Sequence, residues 1–166
     1  MMLSGITTVT DMFVGMPGGG EVSTGVVEGL EALGLRGNVS FGAQDLFGDW
    51  DDRAVLAEHR GLAEAAQDSP LVQFRVGVTS IVALSDRLID SSAELGAELG
   101  KPLHAHFHEV REEVTEARLR FGSSALEVAA DRGLLDEGAV AAHCVWLSEV
   151  DIEVLVDRRV GVAHNP

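Results

Sequence analysis

The histidine-rich strand signal near the middle of the chain reads Pro102-Leu103-His104-Ala105-His106-Phe107-His108-Glu109. It holds three of the six histidines of the chain and ends on an acid. Imidazole is the commonest metal ligand and titrates near neutral pH, so an apolar strand with three of them indicates chemistry. Because side chains alternate along a strand, the three rings are predicted to share one face. His108, at the end of the strand, is expected to face solvent or a loop.

Two later apolar segments also carry a histidine at their ends, namely His143 and His164, and helical patterns separate the three segments. Parallel strands bring their carboxyl ends to one edge of a sheet, so the histidines are expected to converge there. In that arrangement His106 and His143 are candidates for metal ligation or acid–base catalysis. Glu109, just past its strand, is a candidate for moving a proton between water and substrate.

Strand and helix patterns alternate along the whole chain. Six strands are predicted at residues 6–10, 38–43, 71–78, 102–108, 139–145 and 160–164. Helices are predicted at residues 21–33, 51–66, 86–99, 112–120, 124–135 and 149–157. The glycine-rich loop at residues 15–20 lacks the GxGxxG spacing of a dinucleotide-binding turn. We therefore predict an α/β fold, a single incomplete domain over residues 1–166 that forms part of a (β/α)8 barrel, rather than an open doubly wound sheet.

Composition restricts the class of protein. With 46% hydrophobic and 23% charged residues the chain is predicted to be globular, and no apolar run approaches the ~20 residues of a membrane span. The formal charge of −15 disfavours nucleic acid as a partner. The single cysteine, Cys144, is expected to be a buried small hydrophobe, and with no evident signal peptide it favours the cytoplasm. A small-molecule partner is expected, and neither nucleic acid nor a membrane.

Several other residues have ordinary structural interpretations. His59, inside a predicted helix, is interpreted as a hydrogen-bonded core or surface residue. The acidic run Glu112, Glu113 and Glu116 is interpreted as a solvated helix face. Trp146 either fills the core or lines a pocket, and it is included with Glu109 and His143 among the substrate-binding candidates.

In this order and spacing the motifs resemble the amidohydrolase superfamily, in the branch of cytosine, guanine, adenosine-type and S-adenosylhomocysteine deaminases and triazine chlorohydrolases. Residues 4–12 look like the second barrel strand of that family, and residues 104–109, with the pattern His-x-x-Glu, look like the fifth. Residues 142–147 and 161–166 look like the sixth and seventh. The resemblance spans nearly the whole chain and implies barrel strands two to seven. The first-strand His-x-His pair and the eighth-strand aspartate of the family fall outside this sequence.

The resemblance implies a role for each candidate residue. His106 would be the fifth-strand metal ligand, and the metal would be a single divalent zinc, or iron as in some relatives. Glu109 would shuttle a proton and contact the substrate ring. His143 would polarise the attacking water or the developing oxygen. Two roles stay open for His104, which could support a metal ligand or bind the metal itself. His164 is a candidate for supporting the residues that form the site.

The function that the resemblance implies is metal-dependent hydrolytic deamination, or dechlorination, of an N-heterocyclic or nucleoside-like substrate, with this chain as an internal portion of the enzyme. A non-catalytic degenerate barrel or interaction module stays open, because expected ligands are missing. A third hypothesis is that His104, His106 and His143 bind a metal by themselves. A barrel without two of its strands exposes two sheet edges, so the isolated chain is expected to aggregate or to form homo-oligomers.

Overall fold

The computed structural model describes residues 2–17, 21–47 and 50–166. The predicted glycine-rich loop is therefore described only as far as Pro17, and its residues 18–20 lie outside the described residues. The described strands are β1 (Thr8–Phe13), β2 (Arg36–Phe41), β3 (Val72–Phe74), β4 (Val76–Val78), β5 (Leu103–Phe107), β6 (Val140–His143) and β7 (Gly161–Ala163). The described helices are α1 (Glu21–Ala32), α2 (Asp52–Gln67), α3 (Asp86–Leu99), α4 (Arg111–Phe121), α5 (Ala125–Asp131) and α6 (Glu149–Asp157).

Every described strand pair is parallel. The strands form two ladders, β1-β2-β3 and β4-β5-β6-β7, and within each ladder every strand lies beside the next one in the chain. Apart from the short step between β3 and β4, each connection contains at least one helix. Parallel strands joined in sequence order by helical crossovers confirm the predicted α/β fold.

The third predicted strand, at residues 71–78, is interrupted at Arg75. Its first half, β3, pairs with β2, and its second half, β4, pairs with β5. The ladder to β2 continues past the break, because the Arg75 N–H donates to the Val39 carbonyl at 2.9 Å and Ala43 pairs with Val78. β3 and β4 therefore join the two ladders into one sheet.

Gly77 in β4 allows the neighbouring strands to approach closely on the inner face of the sheet. A Cβ atom at this position would lie 2.3 Å from the Phe41 carbonyl oxygen and 2.8 Å from the Ser40 Cβ. Gly77 pairs with His104 of β5 and so lies between His104 and Ser40 of β2. Because glycine has no side chain, Ser40 Oγ reaches His104 Nδ1 at 2.8 Å across β4. The sheet is thus curved enough for side chains two strands apart to touch.

The ends of the helices follow from local sequence. Asp51 caps α2 by accepting the N–H of Arg53, and Ser85 caps α3 by accepting that of Leu88. Helix α3 ends at Gly100, whose left-handed backbone (φ 60°) suits glycine. Helices α5 and α6 both begin with capping boxes. No helix in the described part of the chain is long and apolar enough to cross a lipid bilayer.

The apolar core lies between the outer face of the sheet and the helices. The strands contribute the buried side chains Val39, Phe41, Phe74, Val76, Val78, Leu103, Ala105 and Phe107. The helices contribute, among others, Val55, Leu62, Leu88, Ile89 and Leu126. Removing these groups from water is the main stabilising contribution to the fold. Polar strand residues such as Ser40 and His104 alternate with them and occupy the opposite face, where the candidate site lies.

β1 and β7 are the outer strands of the described sheet, and within the described residues each has one neighbouring strand. All three residues of β7 are exposed, as are Ile152 and Val156 of the preceding helix. Open edges beside exposed apolar side chains favour association. Oligomerisation or aggregation of the isolated 166-residue chain stays a prediction, which light scattering after size-exclusion chromatography checks. A monomer that melts cooperatively would contradict it.

Candidate functional site

The site lies where β5 and β6 end, and two histidines meet there. The ring centroids of His106 and His143 are 5.2 Å apart, with an angle of 77° between the ring planes. The His104 ring follows on the other side of His106, at 6.1 Å between centroids. Imidazoles from two neighbouring strands therefore converge on one end of the sheet, as the sequence predicts.

The meeting of the two rings depends on an unusual backbone at the end of β6. His143 pairs in register with Phe107, so simple alternation would point its side chain away from that of His106. His143 and Cys144 both have left-handed backbones, with φ of 68° and 53°. This conformation costs free energy in residues other than glycine, and it turns the His143 ring towards the strand ends. Hydrogen bonds from the Cys144 N–H to the carbonyls of Phe107 (2.9 Å) and Ala142 (3.1 Å) hold the turn.

His143 is also tied to the residues that follow β7 by two reciprocal hydrogen bonds. Its Nδ1–H donates to the Asn165 carbonyl at 3.1 Å, and His164 Nδ1–H donates to the His143 carbonyl at 2.9 Å. These partners are carbonyl oxygens, which only accept, so they assign the Nδ1 proton to both rings. The second nitrogen of His143, Nε2, is then directed away from β7.

His143 Nε2 lies 3.6 Å from Oε2 of Glu109. Glu109 follows β5 through His108, whose left-handed backbone (φ 52°) ends the strand. About half of the Glu109 side chain is exposed, whereas that of His143 is largely covered. A carboxylate that reaches both solvent and an imidazole can take up a proton from one partner and deliver it to another.

His104 is held by a two-step hydrogen-bonded chain on the inner face. Ser40 Oγ–H donates to the Asp11 carbonyl at 3.1 Å, which leaves the hydroxyl oxygen to accept the Nδ1–H of His104 at 2.8 Å. Burial, together with the charges of His106 and Arg75, lowers the pKa of His104 to about 4. His104 is therefore neutral at physiological pH, with its Nε2 lone pair unprotonated.

His106 has the character that a metal ligand needs. The backbone N–H of His106 donates to the Thr79 carbonyl at 3.2 Å, which fixes the strand. Burial and the neighbouring His143 lower its pKa, although Glu109 opposes the shift. A neutral imidazole keeps the lone pair that binds zinc, so this donor fits the implied metal. No group of three potential ligand side chains gathers anywhere in the described ranges, so His104, His106 and His143 do not form a complete site by themselves.

Two sequence interpretations near the site are wrong. The sequence predicts that His108 faces solvent or a loop, but it is fully buried, with Nδ1 3.6 Å from Asp151 Oδ2, because its left-handed backbone turns the ring towards α6. Glu113 was expected on a solvated face, but it is buried, and its carboxylate accepts hydrogen bonds from Ser80 and from the Glu109 backbone. Helix periodicity alone could not reveal these contacts, since Asp151, Ser80 and Glu109 lie outside the segment whose pattern is read in each case.

The other candidates occupy different settings. Trp146 is not a core residue: it is 42% exposed and lies near the site, with the Arg111 guanidinium carbon 4.3 Å from its ring centroid. Cys144 is buried, as expected. His59 is a hydrogen-bonded core residue, with Nδ1 2.9 Å from the Val55 carbonyl and Nε2 2.8 Å from that of Gly77 in β4.

Comparison with known proteins decides the family. The family model described as "Amidohydrolase family" matches residues 1–166. The chain belongs to the amidohydrolase family. This confirms the resemblance that the strand motifs indicated.

Relatives of this amidohydrolase chain include the 5-methylthioadenosine/S-adenosylhomocysteine deaminase of Thermococcus sibiricus, which is 32% identical over 100% of the chain and 38% of its own length. A zinc-bound adenosine deaminase from Xanthomonas campestris superimposes with a TM-score of 0.83 at 24% identity, over 96% of this chain and 35% of that one. A zinc complex of atrazine chlorohydrolase from Arthrobacter aurescens TC1 gives 0.84 at 21% identity, over 98% and 39%. The fold is therefore part of an amidohydrolase (β/α)8 barrel, as predicted, and the chain spans well under half the length of these relatives.

Proposed function

We propose that residues 1–166 form an internal portion of a metal-dependent amidohydrolase that hydrolytically deaminates an adenosine-type nucleoside. The observation that carries this proposal is the convergence of His106, His143 and Glu109, at 5.2 Å between the rings and 3.6 Å from imidazole to carboxylate. A ligand, a polarising group and a proton carrier at one strand end are what hydrolysis at a ring carbon requires. The named deaminase relative supports the substrate class.

Within this proposal His106 holds the metal, because its lowered pKa keeps the ring neutral. The remaining ligands would come from barrel strands outside residues 1–166, since a zinc site usually needs three protein ligands. The metal, zinc or else iron, would lower the pKa of a water molecule towards neutrality when bound. Zinc in the two structural relatives supports that choice.

The proton movements would fall to Glu109 and His143. Glu109 would take the proton of the attacking water and deliver it to the leaving amine, which its partly exposed carboxylate beside His143 Nε2 allows. Because the Nδ1–H of His143 is committed to the Asn165 carbonyl, Nε2 is the nitrogen that faces the reaction centre. In the doubly protonated ring this nitrogen would donate to negative charge developing on the substrate. The Asn165 and His164 hydrogen bonds would keep that nitrogen aimed at the reaction centre.

The remaining candidates would bind or support. Trp146 would provide one wall for the heterocycle, with its ring steadied by Arg111. His104, anchored on Ser40, would pack behind His106 and fix its orientation. We place the reaction in the cytoplasm, which suits the free and buried Cys144 thiol.

The test uses a longer polypeptide, in which residues 1–166 are expressed together with the segments that the flanking coding sequence specifies. We call it the extended polypeptide. We expect about one zinc per chain and release of ammonia from adenosine-type nucleosides. His106→Ala should abolish zinc binding, measured by plasma mass spectrometry after dialysis, because it removes a metal ligand. Glu109→Gln is the matched control, since it alters the same strand end without removing a ligand and should keep the zinc.

The outcome separates the proposal from its rivals. An extended polypeptide that folds but neither binds zinc nor releases ammonia would support a non-catalytic barrel instead. Zinc retained in His106→Ala would show that the ligand assignment is wrong.

A further inference from the structure

The buried carboxylate of Glu113 is the strongest polar feature that the proposed chemistry leaves unused. Glu113 lies in the first turn of α4 and is 7% exposed. Across the described ranges it has no ion-pair partner within reach. Removing a carboxylate from water without a cation costs free energy unless hydrogen bonds satisfy its oxygens. The presence of a buried carboxylate at this position therefore needs a specific reason.

The hydrogen bonds of Glu113 join two strand ends. Oε2 accepts the backbone N–H of Glu109 at 3.0 Å. Oε1 accepts the hydroxyl of Ser80, which lies two residues beyond the end of β4. The carboxylate therefore bridges the segment after β4 and the segment after β5, and its second partner is the residue that carries the candidate proton shuttle.

The environment of Glu113 suits a negative charge. Val110 precedes α4 as its N-cap residue and has no side chain that can cap the helix, and Glu113 lies in the first turn, where the helix dipole favours negative charge. The charge of Glu113 also acts on Cys144 at the end of β6. The pKa of the Cys144 thiol is raised to about 11, chiefly by burial and then by the negative charges of Asp151 and Glu113. Glu113 thus lies behind three strand ends that carry the site.

Glu109 needs such an anchor. The residue before it, His108, has a left-handed backbone (φ 52°), and the Glu109 side chain is about half exposed. The peptide group between His108 and Glu109 lies beyond the end of β5 at Phe107. Its carbonyl, that of His108, accepts the N–H groups of Val145 and Trp146 at 3.1 Å each, and its N–H, that of Glu109, donates to Glu113. A proton carrier loses much of its effect when it is displaced by about 1 Å, so whatever fixes the Glu109 backbone governs the rate.

We propose that Glu113 is a positioning residue, which holds Glu109 at its proton-transfer position by bridging the Glu109 N–H and the Ser80 hydroxyl. This inference rests on the proposed function. Both carboxylate oxygens of Glu113 are engaged by Ser80 and by the Glu109 N–H, and Glu113 has no place in the assigned ligand set, so it is expected to act through Glu109. Its removal should therefore lower kcat and spare both metal content and KM.

The first test measures position without any activity. Hydrogen exchange at the Glu109 amide is followed by mass spectrometry with residue-level fragmentation, which works on monomers and oligomers. Glu113→Ala removes the acceptor, so the Glu109 amide should exchange about 10-fold faster or more. Glu113→Gln keeps one carbonyl oxygen and should retain most of the protection. Glu112→Ala is the matched control, because Glu112 is exposed in the same helical turn and its loss changes the net charge equally.

The second test measures chemistry in the extended polypeptide. Glu113→Ala should lower kcat by about 10–100-fold, with zinc content and KM within about 3-fold of the parent. Glu113→Gln should restore most of kcat, and Glu112→Ala should leave it unchanged. Ser80→Ala should have a smaller effect of the same kind, and the double variant Ser80→Ala/Glu113→Ala should be no worse than Glu113→Ala alone, because both act through one bridge.

The two tests fail separately. Unchanged exchange at the Glu109 amide in Glu113→Ala would overturn the positioning inference, whether or not the polypeptide is active. Faster exchange with unchanged kcat in an active enzyme would also overturn it. A parent polypeptide without deaminase activity would overturn the proposed function, and the exchange result would still decide whether Glu113 holds Glu109 in place.

Discussion

Glu109→Gln in the extended polypeptide is expected to lower kcat by about 10²–10⁴-fold, the usual contribution of general acid–base catalysis. Glutamine has nearly the same shape and can still accept a hydrogen bond, but it cannot carry a proton between pH 5 and 9. The half-exposed carboxylate lies 3.6 Å from His143 Nε2, where no other acid of the described residues forms an ion pair with that ring. The loss of proton transfer should therefore be nearly complete.

Steady-state kinetics with ammonia detection would measure the effect of Glu109→Gln. Zinc content should stay at the parent value, because Glu109 is assigned no part in metal binding. Glu112→Gln provides the control. It removes the same charge three positions further along the chain, at an exposed residue that does not contact the site. A Glu109→Gln variant with kcat within about 3-fold of the parent would exclude Glu109 as the proton carrier.

Gly77→Ala is expected to destabilise the fold by about 3 kcal/mol, which is at the upper end for inserting a single methyl group into a packed interior. The added Cβ would lie 2.3 Å from the Phe41 carbonyl oxygen and 2.8 Å from Ser40 Cβ. The nearest obstacle is backbone, which cannot rotate away as a side chain can. The strands β2 and β4 would have to separate, and the Ser40–His104 hydrogen bond across them would be lengthened.

Urea unfolding of the extended polypeptide, followed by circular dichroism, would measure this change. Gly25→Ala is the matched control, because Gly25 lies inside α1 and an added Cβ would meet, among the described residues, no atom within 4 Å beyond its chain neighbours and the adjacent helix backbone. That substitution should stabilise the protein by about 0.5–1 kcal/mol, since alanine favours the helix. Equal stabilities of the Gly77→Ala variant and the parent would show that β2 and β4 do not approach as closely as described.

The periodic elements could be predicted from the sequence because their signals are local. Helix α3 and helix α6 run over the residues predicted for them, and the caps Asp51 and Ser85 are residue types that favour helix starts. The first strand was placed too early, at residues 6–10 instead of Thr8–Phe13, because β-branched residues outweighed the pairing with β2 that extends it to Phe13. The break at Arg75 gave no local signal, since it arises where one segment exchanges one neighbouring strand for another.

The sequence alone determined the alternating parallel architecture and the strand that carries His104 and His106, with Glu109 just beyond its end, because chain order and side-chain alternation are properties of local segments. The tertiary structure decided the rest. It turned His143 towards His106 through a left-handed residue, and it buried Glu113 between Ser80 and Glu109. The Ser80–Glu113 contact joins residues 33 positions apart, and the turn at His143 depends on a left-handed backbone that side-chain alternation does not predict.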